Sequence, residues 1–307
     1  MAPRSAKQVS ISVPQISEAA FTMTGEVLEV VAASWTVSTI NQTSTHPCAQ
    51  NNISISITPD IDVDRSCVHT LTVTGLVGST TSGTTVDLVP AGTSTAVFGG
   101  SAGWDRAAGQ LTVSLAQNLV RNTSVYFQFE LHNRAESQGA QAISIRAPVI
   151  FPESTLTGSD IMKIDALVFS NLQVTASTPW PCSPNTVHVY LAMSVPLRNA
   201  CKRTDTLEAY GRFPRLTIEG LTGARNSTIS AFSSGESQFS GVDGVFAHAN
   251  GSLTWLPLQA TAKSHTYRFN FTITNRATKQ DAPEMSIRAD ILTNAKTGMN
   301  SGSSMQM

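Results

Sequence analysis

A chain of 307 residues carrying a formal net charge of −1 and only 13% charged residues lies far below the roughly 25% charged content of an average globular chain. That balance gives nucleic acid or an anionic membrane no electrostatic reason to bind. No apolar run approaches the roughly 20 residues that a membrane-spanning helix needs, and the length suits about two domains.

The start, Met-Ala-Pro-Arg-Ser-Ala-Lys-Gln, has no apolar core of the kind a signal peptide requires. Val9, Ile11 and Val13 then alternate with Ser10 and Ser12 before Pro14 stops the run, so a short strand is expected within an N-terminal extension, residues 1–19. Residues 20–147 follow as a first β unit. Its expected strands are Phe21–Val31, Trp35–Ile40, Asn52–Thr58, Leu71–Leu76, Leu111–Leu115 and the Val125–Leu131 run, although Gly25–Ser34 also fits a short helix. Residues 148–163, rich in Pro, Gly and Ser, read as a linker. A second unit fills 164–292, and 293–307 reads as a flexible tail.

The second unit repeats the first. Val125–Ala147, VYFQFELHNRAESQGAQAISIRA, returns at Tyr267–Ala289 as YRFNFTITNRATKQDAPEMSIRA. In both copies apolar residues alternate over seven positions (Val125, Phe127, Phe129, Leu131; Tyr267, Phe269, Phe271, Ile273), which puts them on one face of a half-buried sheet. Ile53, Ile55 and Ile57 match Val187, Val189 and Leu191. Leu71–Gly78 matches Leu216–Gly223, Gly109-Gln-Leu-Thr matches Gly251-Ser-Leu-Thr, and Trp104 matches Phe246. An insertion of about Thr204–Pro214 is the main difference. About seven short strands per copy, with turn signals every 8–12 residues, describe two tandem β-sandwiches.

Each copy holds two cysteines 19 residues apart, Cys48 and Cys67, then Cys182 and Cys201, the first of each pair following a proline. Four cysteines allow three connectivities. The duplication selects Cys48–Cys67 and Cys182–Cys201, each worth about 3 kcal/mol; free thiols in a reducing compartment are the alternative. Trp180, just before Pro181-Cys182, is expected to pack on its disulfide. Six Asn-X-Ser/Thr sequons stand at Asn41, Asn52, Asn122, Asn226, Asn250 and Asn270. With the cysteines they point to a secretory route and to covalent N-glycans, which need outward asparagines. Asn52 and Asn270 lie at outward strand positions. The chain is therefore expected to be extracellular, as a mature or deduced segment without its leader; a cytosolic protein with idle sequons is the alternative.

No HExxH, GxSxG or glycine-rich phosphate loop is present, and no cofactor is expected. His132 aligns with Thr274, which removes a shared catalytic role. Asp60, Asp62 and Asp64 alternate and form a weak candidate for Ca²⁺, but the second copy has Ser194, Pro196 and Arg198 there, and a solvated acidic edge fits as well. Trp104 and Trp255 align with core positions, which weakens a sugar-stacking face. The unmatched Val9–Val13 strand is free to complete a sheet in the next subunit; such a head-to-tail contact generates a ring or an open filament.

The phrases Leu-Thr-Val-x-Gly-Leu-x-Gly (Leu71–Gly78), Gly-x-Leu-Thr-Val (Gly109–Val113) and Phe-x-Phe-x-Leu-x-Asn-Arg-Ala (Phe127–Ala135) recur in order in the second copy. They resemble the tandem Ig-like β-sandwich repeats of large algal and protist extracellular surface proteins, which more often read Asn-Pro-Ala where this chain has Asn-Arg-Ala. The chain is also similar in architecture to subunits of glycosylated extracellular fibrils. The resemblance covers most of residues 20–290. It implies a secreted, N-glycosylated structural subunit that polymerises with copies of itself and is not an enzyme. An adhesin-type module recognising carbohydrate or protein through its loops is the alternative.

Overall fold

The structure, a computed structural model, describes residues 32–90, 97–148, 150–198, 214–225, 237–239, 245–247, 250–290 and 297–301. The Val9–Val13 strand, the Phe21–Val31 run, Cys201, Asn226 and nearly all of the insertion lie outside them. The described residues form seventeen strands and no helix. The chain is all-β.

The first nine strands are β1 (Trp35–Gln42), β2 (Gln50–Pro59), β3 (Thr70–Thr74), β4 (Thr85–Pro90), β5 (Phe98–Asp105), β6 (Gln110–Leu115), β7 (Val125–His132), β8 (Ser144–Ala147) and β9 (Phe151–Thr155). They are hydrogen-bonded in the order β1-β2-β7-β4-β5-β6-β3-β8-β9. β4 turns the corner between layers: Thr85–Asp87 pair with β5, and Leu88–Pro90 pair with β7. β2 and β7 are antiparallel, with Ile53, Ile55 and Ile57 opposite Phe129, Phe127 and Val125. All six face one core with Leu71, Trp104 and Leu111 from the other layer. Period-2 alternation produces this directly, since a one-residue slip would turn every apolar group outward.

The second set is β10 (Phe169–Ala176), β11 (Pro184–Met193), β12 (Leu216–Glu219), β13 (Val245–Ala247), β14 (Ser252–Trp255), β15 (Thr266–Thr274), β16 (Met285–Ala289) and β17 (Thr297–Ser301). Its order is β13-β14-β12-β16-β17-β10-β11-β15. The β11–β15 register sets Val187, Val189 and Leu191 opposite Phe271, Phe269 and Tyr267, as in the first copy. The repeated Leu-x-Gly turns are alike as well. Gly78 and Gly223 have φ of +87° and +94°, and a Cβ on either would meet the Gln138 or Gln280 carboxamide oxygen at 2.1 or 2.2 Å. Only glycine fits there.

Two boundaries differ from expectation. Residues 148–163 are not a linker: β9 pairs with β8, Thr157 bridges to Thr39 of β1, and Phe151, Ile161 and Met162 are buried in the first core. The Pro and Gly signals mark turns inside the domain. The tail contributes β17, whose Thr297–Met299 pair with β16 and whose Asn300–Ser301 pair with β10. In each sandwich the final segment, β9 with Thr157 just past its end or β17, joins one layer to the other, and one of its two partners lies over a hundred residues away, which leaves no local periodicity.

Candidate functional site

The cysteines are separated by the strand they bracket. β2 and β11 each run ten residues, about 33 Å at strand rise, with Cys48 and Cys182 before the strand and Cys67 and Cys201 after it. A disulfide tolerates Cα atoms no more than about 7 Å apart, so neither expected pair closes. Cys67 and Cys182 are free and exposed, whereas Cys48 is disulfide-bonded. Equal spacing in two repeats was a true signal of duplication, but it carried no information about which ends of the sandwiches meet.

Each first cysteine sits in a turn clamped by two asparagines. Asn133, from the repeated Asn-Arg-Ala, donates from Nδ2 to the Ser44 and His46 carbonyls at 3.1 and 2.9 Å and accepts from Asn51 Nδ2 at 3.1 Å. Asn51 Oδ1 accepts from the Thr43 and Ser44 amides. The second copy repeats the arrangement: Asn275 donates to the Thr178 and Trp180 carbonyls at 3.1 and 2.9 Å and accepts from Asn185 at 2.9 Å. The Cys48 amide donates to the Arg134 carbonyl and the Cys182 amide to that of Arg276, and both cysteines have positive φ, 56° and 57°. The sequence held a signal for this clamp: Asn51 and Asn185 occupy inward phases of strands that are otherwise apolar at those positions.

The two turns share a conformation and differ in their surroundings. Pro47, Cys48 and Ala49 are buried, and Cys48 and Ala135, each 3% exposed, belong to the core cluster of the second sandwich, which also holds Leu167 and Leu197. Thr45 Oγ1 donates to Asp165 at 2.7 Å, and the Asp165 amide donates back to the Thr45 carbonyl at 2.8 Å. Burial, then Lys263 and Arg198 nearby, hold His46 below its ordinary pKa of 6.5, against an opposing pull from Asp165. Thus one end of the first sandwich is seated on the opposite end of the second. The equivalent turn of the second sandwich is bare: Trp180 is 63% exposed, and Pro181, Cys182, Arg276 and Ala277 are exposed. Trp180 therefore does not pack on a disulfide. Arg225 Nη1 donates to Cys182 Sγ at 3.2 Å.

At the far end of the first sandwich the three aspartates do not converge. Asp60 accepts from the Ser34 amide and hydroxyl at 2.8 and 2.6 Å, Asp62 from the Arg121 amide at 2.8 Å, and Asp64 from the Ser66 amide at 2.7 Å. Hydrogen bonds from Ser34 and from Ser66 hold Asp60 and Asp64 below the usual 3.8. Each carboxylate is satisfied by a different loop, because the strand ends at Pro59 and alternation ends with it. No cluster of metal-ligating side chains occurs among the described residues. Cys67 closes this same turn, its amide donating to the Asp64 carbonyl. His132 makes a 3.5 Å contact with Glu130 at the surface.

Asn41, Asn52, Asn122 and Asn250 are exposed and Asn270 is half-buried. Register puts Asn41, Ser54 and Gln128 in one cross-strand row, and Thr175, His188 and Asn270 in the matching row of the second sandwich. Each outer sheet thus carries a sequon in the same row, on opposite flanking strands.

Taken together, fold and repeat define a tandem β-sandwich protein. No family model matches the chain, and no curated protein matches its sequence. Among solved structures it is similar to the collagen adhesin CNA of S. aureus, with 11% identity over 87% of this chain and 89% of that one, TM-score 0.22. It is also similar to a structure named BspA_C_mut, 8% identical over 86% and 96%, TM-score 0.35. A third is the serine-rich repeat adhesion glycoprotein Srr1 of Streptococcus agalactiae, 9% identical over 84% and 94%, TM-score 0.25. Likeness at this level carries no argument about function.

Proposed function

We propose that this chain is an extracellular, N-glycosylated structural subunit that stacks end to end into a fibre, without catalytic chemistry of its own. The observation that carries the reading is the asymmetry between two equivalent turns. The Cys48 turn is buried against a sandwich end, and its copy at Cys182 presents Pro181, Trp180 and Ala277 to solvent. A repeat whose internal joint uses one turn has, in the second copy, a surface of the same shape without a seat. Seating it on the next molecule gives a heterologous contact, which closes into a ring or continues as a filament. Surface sequons in matching rows suit an exterior coated with sugar. The Val9–Val13 stretch is the candidate for a donated strand in the same joint.

Electron microscopy of the purified protein tests this reading: filaments with an axial repeat of two sandwiches are expected. Trp180→Ala should leave the folded monomer intact, since an exposed side chain contributes within about 0.5 kcal/mol, and should abolish the filaments. Truncation through Pro14 should do the same if the strand is donated. Dispersed monomers at high concentration refute the reading.

An adhesin is the second reading, and one feature favours it. An open groove of about 490 Å³ lies between Thr81–Thr84 and Trp104–Ala107, with Asp105 and Arg106 at its edge. Trp104 is nevertheless committed to the core and to the Thr81 carbonyl, 3.3 Å from its Nε1. A glycan array is the discriminating measurement.

A further inference from the structure

Two cysteines among the described residues, Cys67 and Cys182, are free and stand at opposite ends of the molecule, and the internal joint indicates what they are for. Cys48 is disulfide-bonded while Cys67 and Cys182 are free. Cys48 lies in the turn that seats on the second sandwich, in one core cluster with Val195 and Leu197, which follow β11. The internal joint therefore sets the turn before one sandwich's long strand against the segment just past the end of the next one's. Cys182 is the repeat equivalent of Cys48, and Cys67 is the repeat equivalent of Cys201. We infer that Cys182 of one molecule forms a disulfide with Cys67 of a second copy, repeating the internal joint between subunits and sealing the fibre covalently. This rests on the end-to-end reading above and identifies the bond within it.

Three further observations fit one occupant, another copy of this chain. The surface around Cys182 is cationic, with Arg225, Arg276 and Lys279 exposed against Asp281; the surface around Cys67 holds Asp60, Asp62 and Asp64 against Arg65 and Arg121. The three aspartates thus have an opposite charge to face. The repeat register also puts Trp180 in the place of His46, opposite Asp64 and Arg121 in the places of Arg198 and Lys263, and an arginine over a tryptophan ring is a favourable contact. Finally, Val120 is 57% exposed beside Arg121, an apolar residue at this end of the sandwich for a second copy to cover.

The chemistry balances with a low-molecular-weight disulfide as oxidant. The Cys182 thiolate attacks it, forming a mixed disulfide and releasing one thiol. The Cys67 thiolate of the next copy then displaces the second thiol, leaving a Cys182–Cys67 bond and two reduced thiol molecules. Both sulfurs must be accessible for this, and both are exposed.

The test is a non-reducing gel of the full chain after incubation with oxidised glutathione. The wild type should give a ladder at multiples of the monomer mass that dithiothreitol collapses, with Cys67 and Cys182 in one linked peptide by mass spectrometry. Cys67→Ser and Cys182→Ser should each reduce the ladder at least tenfold, and a mixture of the two variants should stop at a dimer joined through those two positions. A ladder that survives either substitution, or linked peptides of the type Cys182–Cys182, overturns the assignment. Filaments by microscopy without any ladder overturn the bond and leave end-to-end stacking standing. Neither filaments nor ladder overturns both.

Discussion

Replacing Asn133 with alanine removes three hydrogen bonds at once: two from its Nδ2 to the Ser44 and His46 carbonyls and one accepted from Asn51. Asn133 is buried, so water does not replace the lost partners, and at about 1 kcal/mol for each bond the loss is about 3 kcal/mol. For a unit of this size that lowers Tm by about 6–12 °C. Asn275→Ala deletes the three equivalent bonds, but Asn275 is half-exposed at the bare end. Water reaches the freed groups there, and the loss should be about 1 kcal/mol, or about 2–4 °C. Scanning calorimetry of the monomeric protein reads both. Equal losses, or a loss below about 1 kcal/mol for Asn133→Ala, would refute the argument that seating on the second sandwich is what makes the first clamp costly to break. In assembled fibres the difference should vanish, because the Cys182 turn is then covered as well.

His46 gives a pH prediction with a definite sign. Its folded pKa is held below 6.5, chiefly by burial and then by Lys263 and Arg198, so the unfolded chain binds more protons. The stability it contributes is fully present above 6.5 and is lost as pH falls toward the folded pKa. Thermal scans should show a lower Tm at pH 5.5 than at 7.5, with the difference reduced in His46→Gln; an unchanged difference refutes it. Asp60 and Asp64, both depressed, lose their contribution only below about 3.8, outside that window. Glycosidase treatment should lower the mass by several glycans, and Asn270→Gln should remove one of them with Tm unchanged; no mass loss would remove the secretory argument.

The cores were legible in the sequence because burial in a sheet follows a period of two. Ile53, Ile55 and Ile57 and the Phe127/Phe129 pair could be placed from alternation alone, and the match of Trp104 with Phe246 and of Trp255 with Val113 placed those rings inside. The repeated Asn-Arg-Ala was visible as a motif, but its clamp on the cysteine turn was not, since that requires knowing that β2 and β7 bring Asn51 beside Asn133 across 82 residues. β9 and β17 were missed for a related reason. A strand that joins two layers has one partner in each and no single buried face, so it reads as Pro- and Gly-punctuated loop.

What the sequence by itself determined is the duplication, the all-β architecture, the inward faces of the long strands and the outward strand positions of Asn52 and Asn270, all of which follow from local periodicity. Only the tertiary structure decided which ends meet. Cys48 and Cys67, 19 residues apart on the chain, lie at opposite ends of a sandwich because an extended strand of ten residues is rigid and long. The same turn is core in one repeat and surface in the other because a single chain has only one internal joint. That difference in cover depends on what is packed above the turn, which no residue within it encodes.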